Sequence, residues 1–152
     1  MGSFEILEHT ADVGIRAQGA SLEELFEQAS RGLAEIIGIW NPSSASGRTD
    51  DGRAEELLID LQAPDLGALL VDWLQEIVYV ADVRDGVLSH VEAKVVRDAD
   101  DEGAGGCAAA GRLWLEPRIG EGEGTAVKAI TYHRLKVAPT PAGWTAEVYV
   151  DV

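Results

Sequence analysis

The sequence predicts an α+β fold in which a mostly antiparallel or mixed β-sheet carries two amphipathic helices on one side. Two stretches repeat apolar residues every three or four positions, which is typical of helices with one buried face. About seven stretches alternate apolar and polar residues, and most are joined by turn-rich polar segments, as in hairpins. The chain has 152 residues, of which 46% are hydrophobic, so we expect a single domain over residues 1–152.

The first part of the chain predicts two strands followed by a helix. The strands cover residues 4–8 and 12–17, and the short motif between them contains His9 and Asp12. Ser21 and Glu24 form a capping box, in which each side chain satisfies a free backbone N–H at the start of a helix. Apolar positions then recur at helical spacing, and the helix ends near Gly38.

The middle of the chain predicts a strand, a second helix and two further strands, at residues 54–61, 63–78, 83–96 and 108–116. We expect the strand at 54–61 to be well buried, because Leu58 is apolar as well as the alternating residues around it. In the strand at 83–96, Val87 and Val91 have the same parity and are predicted to share a face.

The last third of the chain predicts a long hairpin with arms at residues 127–137 and 144–152. Strict alternation places His133 on the apolar face of the first arm, where a histidine is most often a hydrogen-bonding core residue. Beside a carboxylate, His133 could instead act functionally, as an acid or base near pH 7. Lys128 then lies on the polar face. There it is either solvated or available to contact phosphate or carboxylate groups.

The charge of the chain restricts its partners. The formal net charge is -15, from 27 acidic and 12 basic residues, which repels a phosphate backbone at long range. We therefore expect no direct, tight nucleic-acid binding; cations and basic protein surfaces suit the charge better. A simply solvated acidic surface is the alternative.

Localisation is predicted from what the chain lacks. No apolar run approaches the ~20 residues that cross a bilayer, so we expect no membrane association. The N-terminal residues do not resemble a signal peptide, and Cys107 is the single cysteine. We therefore expect a cytoplasmic protein.

Carboxylates at two distant positions predict a metal site. The last strand alternates up to Asp151 and Val152, so the α-carboxylate of Val152 lies beside the Asp151 side chain and the pair attracts a cation. If this strand end lies near Asp12, three carboxylates converge. Oxygen ligands of this kind suit Ca²⁺, our first expectation, or Mg²⁺ and Mn²⁺, but not zinc. A charged strand end without a metal is the alternative.

The residues between the first two strands add a second chemistry. A neutral His9 beside a carboxylate could act as an acid or base near pH 7. A plain hairpin bend with a capping Asp12 is the competing interpretation.

Five blocks of sequence, in this order and over almost the full length, resemble the archease family: residues 8–15, 21–26, 69–76, 127–133 and 149–152. The resemblance implies a non-catalytic accessory protein of the RNA-splicing (tRNA) ligase, which joins RNA ends with GTP and a metal ion. It implies that the chain promotes guanylylation and repeated turnover of that ligase. It also implies Asp12, Asp151 and the Val152 carboxylate as metal ligands, and a functional role for Lys128.

Two other functions remain open from the residues alone. The first is a small metal-dependent hydrolase that uses Asp12, His9 and Asp151. The second is a general chaperone or interaction module.

Overall fold

The computed structural model describes residues 2–8, 13–40, 55–84, 86–97, 106–117 and 124–152. These ranges contain seven strands and two helices, which confirms the predicted α+β class. In chain order they are β1 (Ser3–Glu8), β2 (Val13–Gly19), α1 (Leu22–Ile37), β3 (Glu55–Ala63), α2 (Leu66–Val83), β4 (Gly86–Arg97), β5 (Cys107–Pro117), β6 (Ala129–Thr140) and β7 (Gly143–Asp151).

The strands divide between two sheets. The four-stranded sheet has the order β1-β2-β7-β6, and the three-stranded sheet has the order β3-β5-β4. Every pair of neighbouring strands is antiparallel, as the hairpin pattern of the sequence predicted. The division into two sheets, and the contact between the second strand and the last, are features that the local pattern did not predict.

Helix α1 begins and ends at the residues that the sequence indicated. The Ser21 hydroxyl accepts a hydrogen bond from the Glu24 N–H at 3.1 Å, and the Glu24 carboxylate accepts one from the Ala20 N–H at 3.4 Å. Gly38 adopts a left-handed conformation, with φ of 85°, and its N–H donates to the Ala34 carbonyl. A glycine tolerates this conformation at a helix end without steric strain.

Helix α2 has its own cap and supports a strand of the other sheet. Asp65 accepts a hydrogen bond from the Ala68 N–H at 2.8 Å and so starts the helix. Further along, Gln75 accepts a hydrogen bond from the Ile130 N–H at 3.1 Å, on the edge strand β6. Among the residues that the structure describes, neither helix is both long and apolar enough to cross a bilayer.

Side chains of α1 accept hydrogen bonds from backbone N–H groups of the edge strand β4 in a similar way. Glu23 accepts a hydrogen bond from the Val95 N–H at 2.9 Å, and Glu27 accepts one from the Ala93 N–H at 3.1 Å. An edge strand otherwise presents unpaired N–H groups to solvent and to other chains. Both helices therefore bury an apolar face and also use polar side chains to occupy sheet edges.

One hydrophobic core joins both sheets and both helices. Trp73 of α2 is fully buried, and its indole N–H donates to the Ser30 hydroxyl of α1 at 2.8 Å. Ser30 in turn donates to the Phe26 carbonyl at 2.7 Å, and the Phe26 and Trp73 rings pack edge to face. This polar link inside the core fixes how the two helices meet.

The prediction that the third strand is well buried is wrong. β3 lies at the edge of the three-stranded sheet, and the Leu58 side chain is 75% exposed. The face shared by Val87 and Val91 is also corrected. A bulge between Leu88 and His90 shifts the alternation, so that Leu88, and not Val87, is buried with Val91.

The predicted alternation of the long hairpin fails in β6. Thr131 pairs with Tyr149, and Lys136 pairs with Glu147. The two paired positions are five residues apart on β6 but only two residues apart on β7. The three additional residues reverse the alternation, because side chains change face at every residue. His133 is consequently exposed, which contradicts its prediction as a core residue.

Candidate functional site

Strands β2 and β7 bring together residues that adjoin, in the sequence, the two parts of the predicted metal site. They are neighbours in the four-stranded sheet, and Val13 is the Cα partner of Val150. In the sequence, Asp12 precedes Val13 and Asp151 follows Val150. Asp12 and His9 lie outside the described residues, so their roles stay predictions.

The start of β6 lies against the end of β7 at the same edge of the sheet. Ala129 pairs with Asp151, and the Lys128 N–H donates to the Asp151 carbonyl at 2.8 Å. The side chains of Lys128 and Asp151 are exposed, and Val152 is 38% exposed. The structure therefore places the predicted functional lysine beside a predicted ligand and leaves both accessible to a partner.

The donors at this edge are oxygen atoms. Asp151 supplies a carboxylate, and the predicted carboxylate of Val152 follows it directly. Such donors fit the hard cations that were predicted, Ca²⁺, Mg²⁺ or Mn²⁺. Within the described ranges no group of three or more His, Cys, Asp or Glu side chains could hold a metal ion. A complete ligand set at this edge therefore requires the predicted contribution of Asp12.

A glycine and a tyrosine fix the register of β2 and β7 beside this edge. Gly14 and Tyr149 are Cα partners, next to the pair of Val13 and Val150. The Tyr149 ring covers Gly14 so closely that a Cβ atom at position 14 would lie 2.8 Å from Cε1 of the ring. Tyr149 is 4% exposed, although it points away from the main core. Sequence reasoning missed this contact; the available signal was a glycine inside a strand, which often marks close approach of another group.

The Tyr149 hydroxyl belongs to a row of charged side chains across the outer face. It donates to a Glu147 carboxylate oxygen at 2.8 Å, and Glu147 pairs with Arg16 at 3.6 Å. Arg16 also pairs with Glu5 at 3.7 Å. The hydrogen bond to Glu147 raises the pKa of Tyr149, with burial and the Glu147 charge acting in the same direction and the Arg134 guanidinium opposing them. Tyr149 is therefore held as a neutral hydrogen-bond donor.

His133 lies on this outer face and not at the edge near Asp151. Its ring meets the Tyr149 ring edge to face, with centroids 6.4 Å apart. Thr131 links the two strands at this point, because its hydroxyl donates to the Tyr149 carbonyl at 3.1 Å and accepts from the His133 N–H at 3.3 Å. Lys128 and His133 are thus on the same strand, but they have different neighbours.

A surface depression of about 660 Å³ lies elsewhere, on the three-stranded sheet, and is lined by residues that include Glu27, Asp60 and Glu92. Burial raises the pKa of Glu27, although its hydrogen bond from Ala93 acts in the opposite direction. Glu27 is occupied by this bond to the edge of β4. We therefore assign Glu27 to the stability of the sheet and not to chemistry.

Comparison with known proteins gives one consistent result. The model of the archease protein family matches residues 4–152 of the chain. The protein archease of Methanosarcina mazei is 36% identical, over 98% of this chain and 95% of the relative. The protein archease of Saccharolobus islandicus is 35% identical over the full length of both chains.

Two solved structures have the same fold. A solution structure from Methanobacterium thermoautotrophicum is 27% identical, covers 99% of both chains and superposes with a TM-score of 0.72. A crystal structure from Thermotoga maritima, described as an archease and a possible chaperone, is 24% identical. It covers 97% of this chain and 96% of its own, with a TM-score of 0.57, and supports the fold alone.

Proposed function

The chain belongs to the archease family, and we propose that it is a non-catalytic accessory factor of an RNA-splicing (tRNA) ligase in the cytoplasm. The ligase joins RNA ends with GTP and a metal ion. The accessory factor promotes guanylylation of the ligase and its repeated turnover. It does so with a divalent metal ion bound by Asp12, Asp151 and the carboxylate of Val152.

The pairing of Val13 with Val150 carries this proposal. These two residues are far apart in the sequence, yet they are cross-strand neighbours. In the sequence, Val13 follows the predicted ligand Asp12, and Val150 precedes the predicted ligand Asp151. The close packing of Tyr149 on Gly14 holds the same two strands one step away. The chain neighbours of the two predicted ligands thereby lie at one edge of one sheet, which supports a metal site that both carboxylates share.

The position and charge of the edge suit a role in another protein's active site. Asp151 and Lys128 are exposed at the end of their strands, where they can enter a cleft. A net charge of -15 steers the chain toward a basic site, such as one that binds RNA and GTP. The metal ion would supply positive charge at the phosphate groups of GTP.

The polar groups near the edge support an accessory role better than a catalytic one. The hydroxyl of Thr131 donates to a backbone carbonyl, and the hydroxyl of Tyr149 donates to Glu147. Neither is paired with a histidine that could take its proton, as an activated nucleophile requires. The isolated protein should therefore show no metal-dependent phosphoesterase activity, and such activity would favour the hydrolase alternative.

The first test measures guanylylation of the cognate ligase with GTP, with and without this protein. Wild type should accelerate the reaction, whereas Asp12→Ala and a version that ends at Val150 should not. Asp60→Ala is the matched control, because it removes an exposed carboxylate from β3, in the three-stranded sheet and away from the edge. Full stimulation by Asp12→Ala would refute the metal site, and no stimulation by wild type would refute the ligase role.

A second test measures Ca²⁺ and Mn²⁺ binding to the isolated protein by calorimetry. Asp12→Ala and Asp151→Asn should each weaken binding by at least about tenfold, the loss that follows removal even of an outer-shell partner. Asp60→Ala should bind as wild type does. Equal affinities in all four proteins would place any bound ion elsewhere.

A general chaperone is the second candidate function. The three-stranded sheet exposes Leu58 and Val96, at 75% and 61%, on strands β3 and β4. Exposed apolar side chains can hold unfolded segments of other proteins. If this candidate is right, the protein suppresses aggregation of unrelated proteins, Leu58→Ser reduces the effect and Asp12→Ala does not.

A further inference from the structure

Basic charge is concentrated on one segment of this acidic chain. Residues 126–142 contain no Asp or Glu, although the whole chain has 27 of them. The same segment contains Lys128, Arg134 and Lys136, all exposed in the structure. This segment includes β6, which lies at the edge of the four-stranded sheet.

The basic side chains of this segment differ from most others in their partners. In the described ranges the other arginines are occupied, three by ion pairs with Glu side chains and two by stacking on Trp rings: Arg16, Arg84, Arg112, Arg31 and Arg97. Within those same ranges, Lys128, Arg134 and Lys136 have no ion pair with a carboxylate, although Arg134 hydrogen-bonds the Tyr149 hydroxyl. Lys94 on β4 likewise has no ion pair with a carboxylate in those ranges, and it serves below as a control.

The backbone of β6 presents these side chains in an unusual way. The additional residues after Thr131 place three consecutive exposed side chains on the surface, Tyr132, His133 and Arg134. Arg134 has a φ of 55° and is the non-glycine residue with positive φ among those that the structure describes. Strain of this kind is uncommon and is often kept where a surface has a function.

We propose that Tyr132, His133, Arg134 and Lys136, which we name the β6 strip, bind single-stranded RNA. This proposal rests on the proposed function, because the RNA is the one that the partner ligase joins. Cationic side chains complement backbone phosphates, and exposed aromatic rings stack on unpaired bases. An acidic protein surface would match the cations alone and would leave Tyr132, 61% exposed, without a partner.

The position of the strip connects it to the predicted metal site. Lys128 lies between the strip and Asp151, since it directly precedes β6 and its N–H bonds the Asp151 carbonyl. An RNA strand on the strip would therefore run toward the edge that carries the predicted ligands. The total charge of -15 opposes RNA binding at long range, so the strip acts on RNA that the ligase already holds.

Because the ligase reaction has two steps, this inference and the proposed function can be tested separately. Guanylylation needs GTP but no RNA, whereas ligation needs both. The test compares wild type with the double variant Arg134→Gln/Lys136→Gln in both steps, at several salt concentrations. Lys94→Gln is the matched control, and thermal unfolding checks that each variant is folded.

We expect the double variant to stimulate guanylylation as wild type does. In ligation, the RNA concentration for half-maximal rate should rise about fivefold or more, with a shallower salt dependence, because two phosphate contacts are lost. A 4-thiouridine in the RNA should crosslink to the peptide containing Tyr132. Unchanged ligation would overturn the inference, and equal loss in both steps would show that the strip binds the ligase protein instead.

If wild type stimulates neither step, the proposed function fails and the strip is tested alone. Fluorescence anisotropy at low salt then measures binding of labelled oligouridine to the isolated protein. Weaker binding by the double variant than by Lys94→Gln would support an RNA-binding strip. Equal binding by both would overturn it.

Discussion

At the scale of single residues, the contact between Gly14 and Tyr149 explains how two distant segments are held in register. The absence of a side chain at position 14 leaves room for the Tyr149 ring, whose hydroxyl is held by Glu147. The sequence analysis had singled out Asp12 and Asp151 for their chemistry, but it had given Gly14 no role. The residues that define a site can thus depend on neighbours that carry no chemistry.

Gly14→Ala should destabilise the protein by about 1–3 kcal/mol, the usual cost of adding a methyl group where none fits. The new Cβ would lie 2.8 Å from the Tyr149 ring and would force it to move. Urea unfolding measures the change, and Gln18→Ala, on an exposed position of the same strand, is the control. Wild-type stability for Gly14→Ala would show that the ring moves without cost.

Glu27 should make the folded state less stable as pH rises. Burial raises the pKa of Glu27 in the folded protein above that in the unfolded chain, although Ala93, Arg31 and His90 oppose the shift and Glu92 adds to it. Between these two pKa values the folded state binds more protons, so its stability falls as pH rises through this window. The glutamine of Glu27→Gln stays neutral and still accepts the Ala93 hydrogen bond.

Urea unfolding of wild type and Glu27→Gln from about pH 4 to about pH 7 measures this effect. The stability of Glu27→Gln relative to wild type should increase with pH. Gln18→Ala, which changes no titratable group, should show no such trend. A constant difference between Glu27→Gln and wild type would mean that the Glu27 pKa is the same in both states.

At the scale of elements, the helices act through polar side chains as well as through their apolar faces. Glu23 and Glu27 of α1 bond the edge of β4, and Gln75 of α2 bonds the edge of β6. The helices themselves meet at the hydrogen bond from Trp73 to Ser30. Polar side chains of the two helices therefore connect elements to one another.

Ser30→Ala should destabilise the protein by about 1–3 kcal/mol, because the buried Trp73 N–H would lose its acceptor. Urea unfolding measures this loss, and the double variant Ser30→Ala/Trp73→Phe is the control. Once Trp73 is replaced, the serine has no indole N–H to accept, so the further cost of Ser30→Ala should be smaller. Strictly additive costs would show that the hydrogen bond contributes nothing.

At the scale of the whole molecule, the negative charge governs both stability and association. The chain carries a formal net charge of -15, while residues 126–142 have no acidic side chain. An acidic body can be attracted to a basic ligase, while the β6 strip faces the opposite charge of RNA. Under the proposed function, this uneven distribution of charge would allow one small protein to contact both the ligase and its RNA.

Added salt should stabilise the isolated protein, because it screens repulsion among its carboxylates. We expect a gain on the order of 1 kcal/mol between about 20 and about 300 mM NaCl, or about 2–4 °C in Tm. Differential scanning calorimetry with a chelator present measures this without contributions from divalent ions. A lower Tm at high salt would mean that favourable ion pairs outweigh the repulsion.

The sequence by itself determined the features that depend on neighbouring residues. Ser21 and Gly38 marked the ends of α1, and hydrophobic periodicity identified both helices and all seven strands. These predictions succeed because a cap or an amphipathic face is specified within a few residues. The predicted ligands at Asp12 and Asp151 likewise came from local chemistry and from the family resemblance.

The tertiary structure decided which of these local features meet. It divided the strands between two sheets, paired Val13 with Val150, and placed additional residues in β6 that move His133 to the surface. Strand partners and bulges depend on contacts between residues far apart in the chain, which alternation along one strand does not encode. The candidate ligands were therefore readable from the sequence, whereas the pairing that brings their chain neighbours Val13 and Val150 together was not.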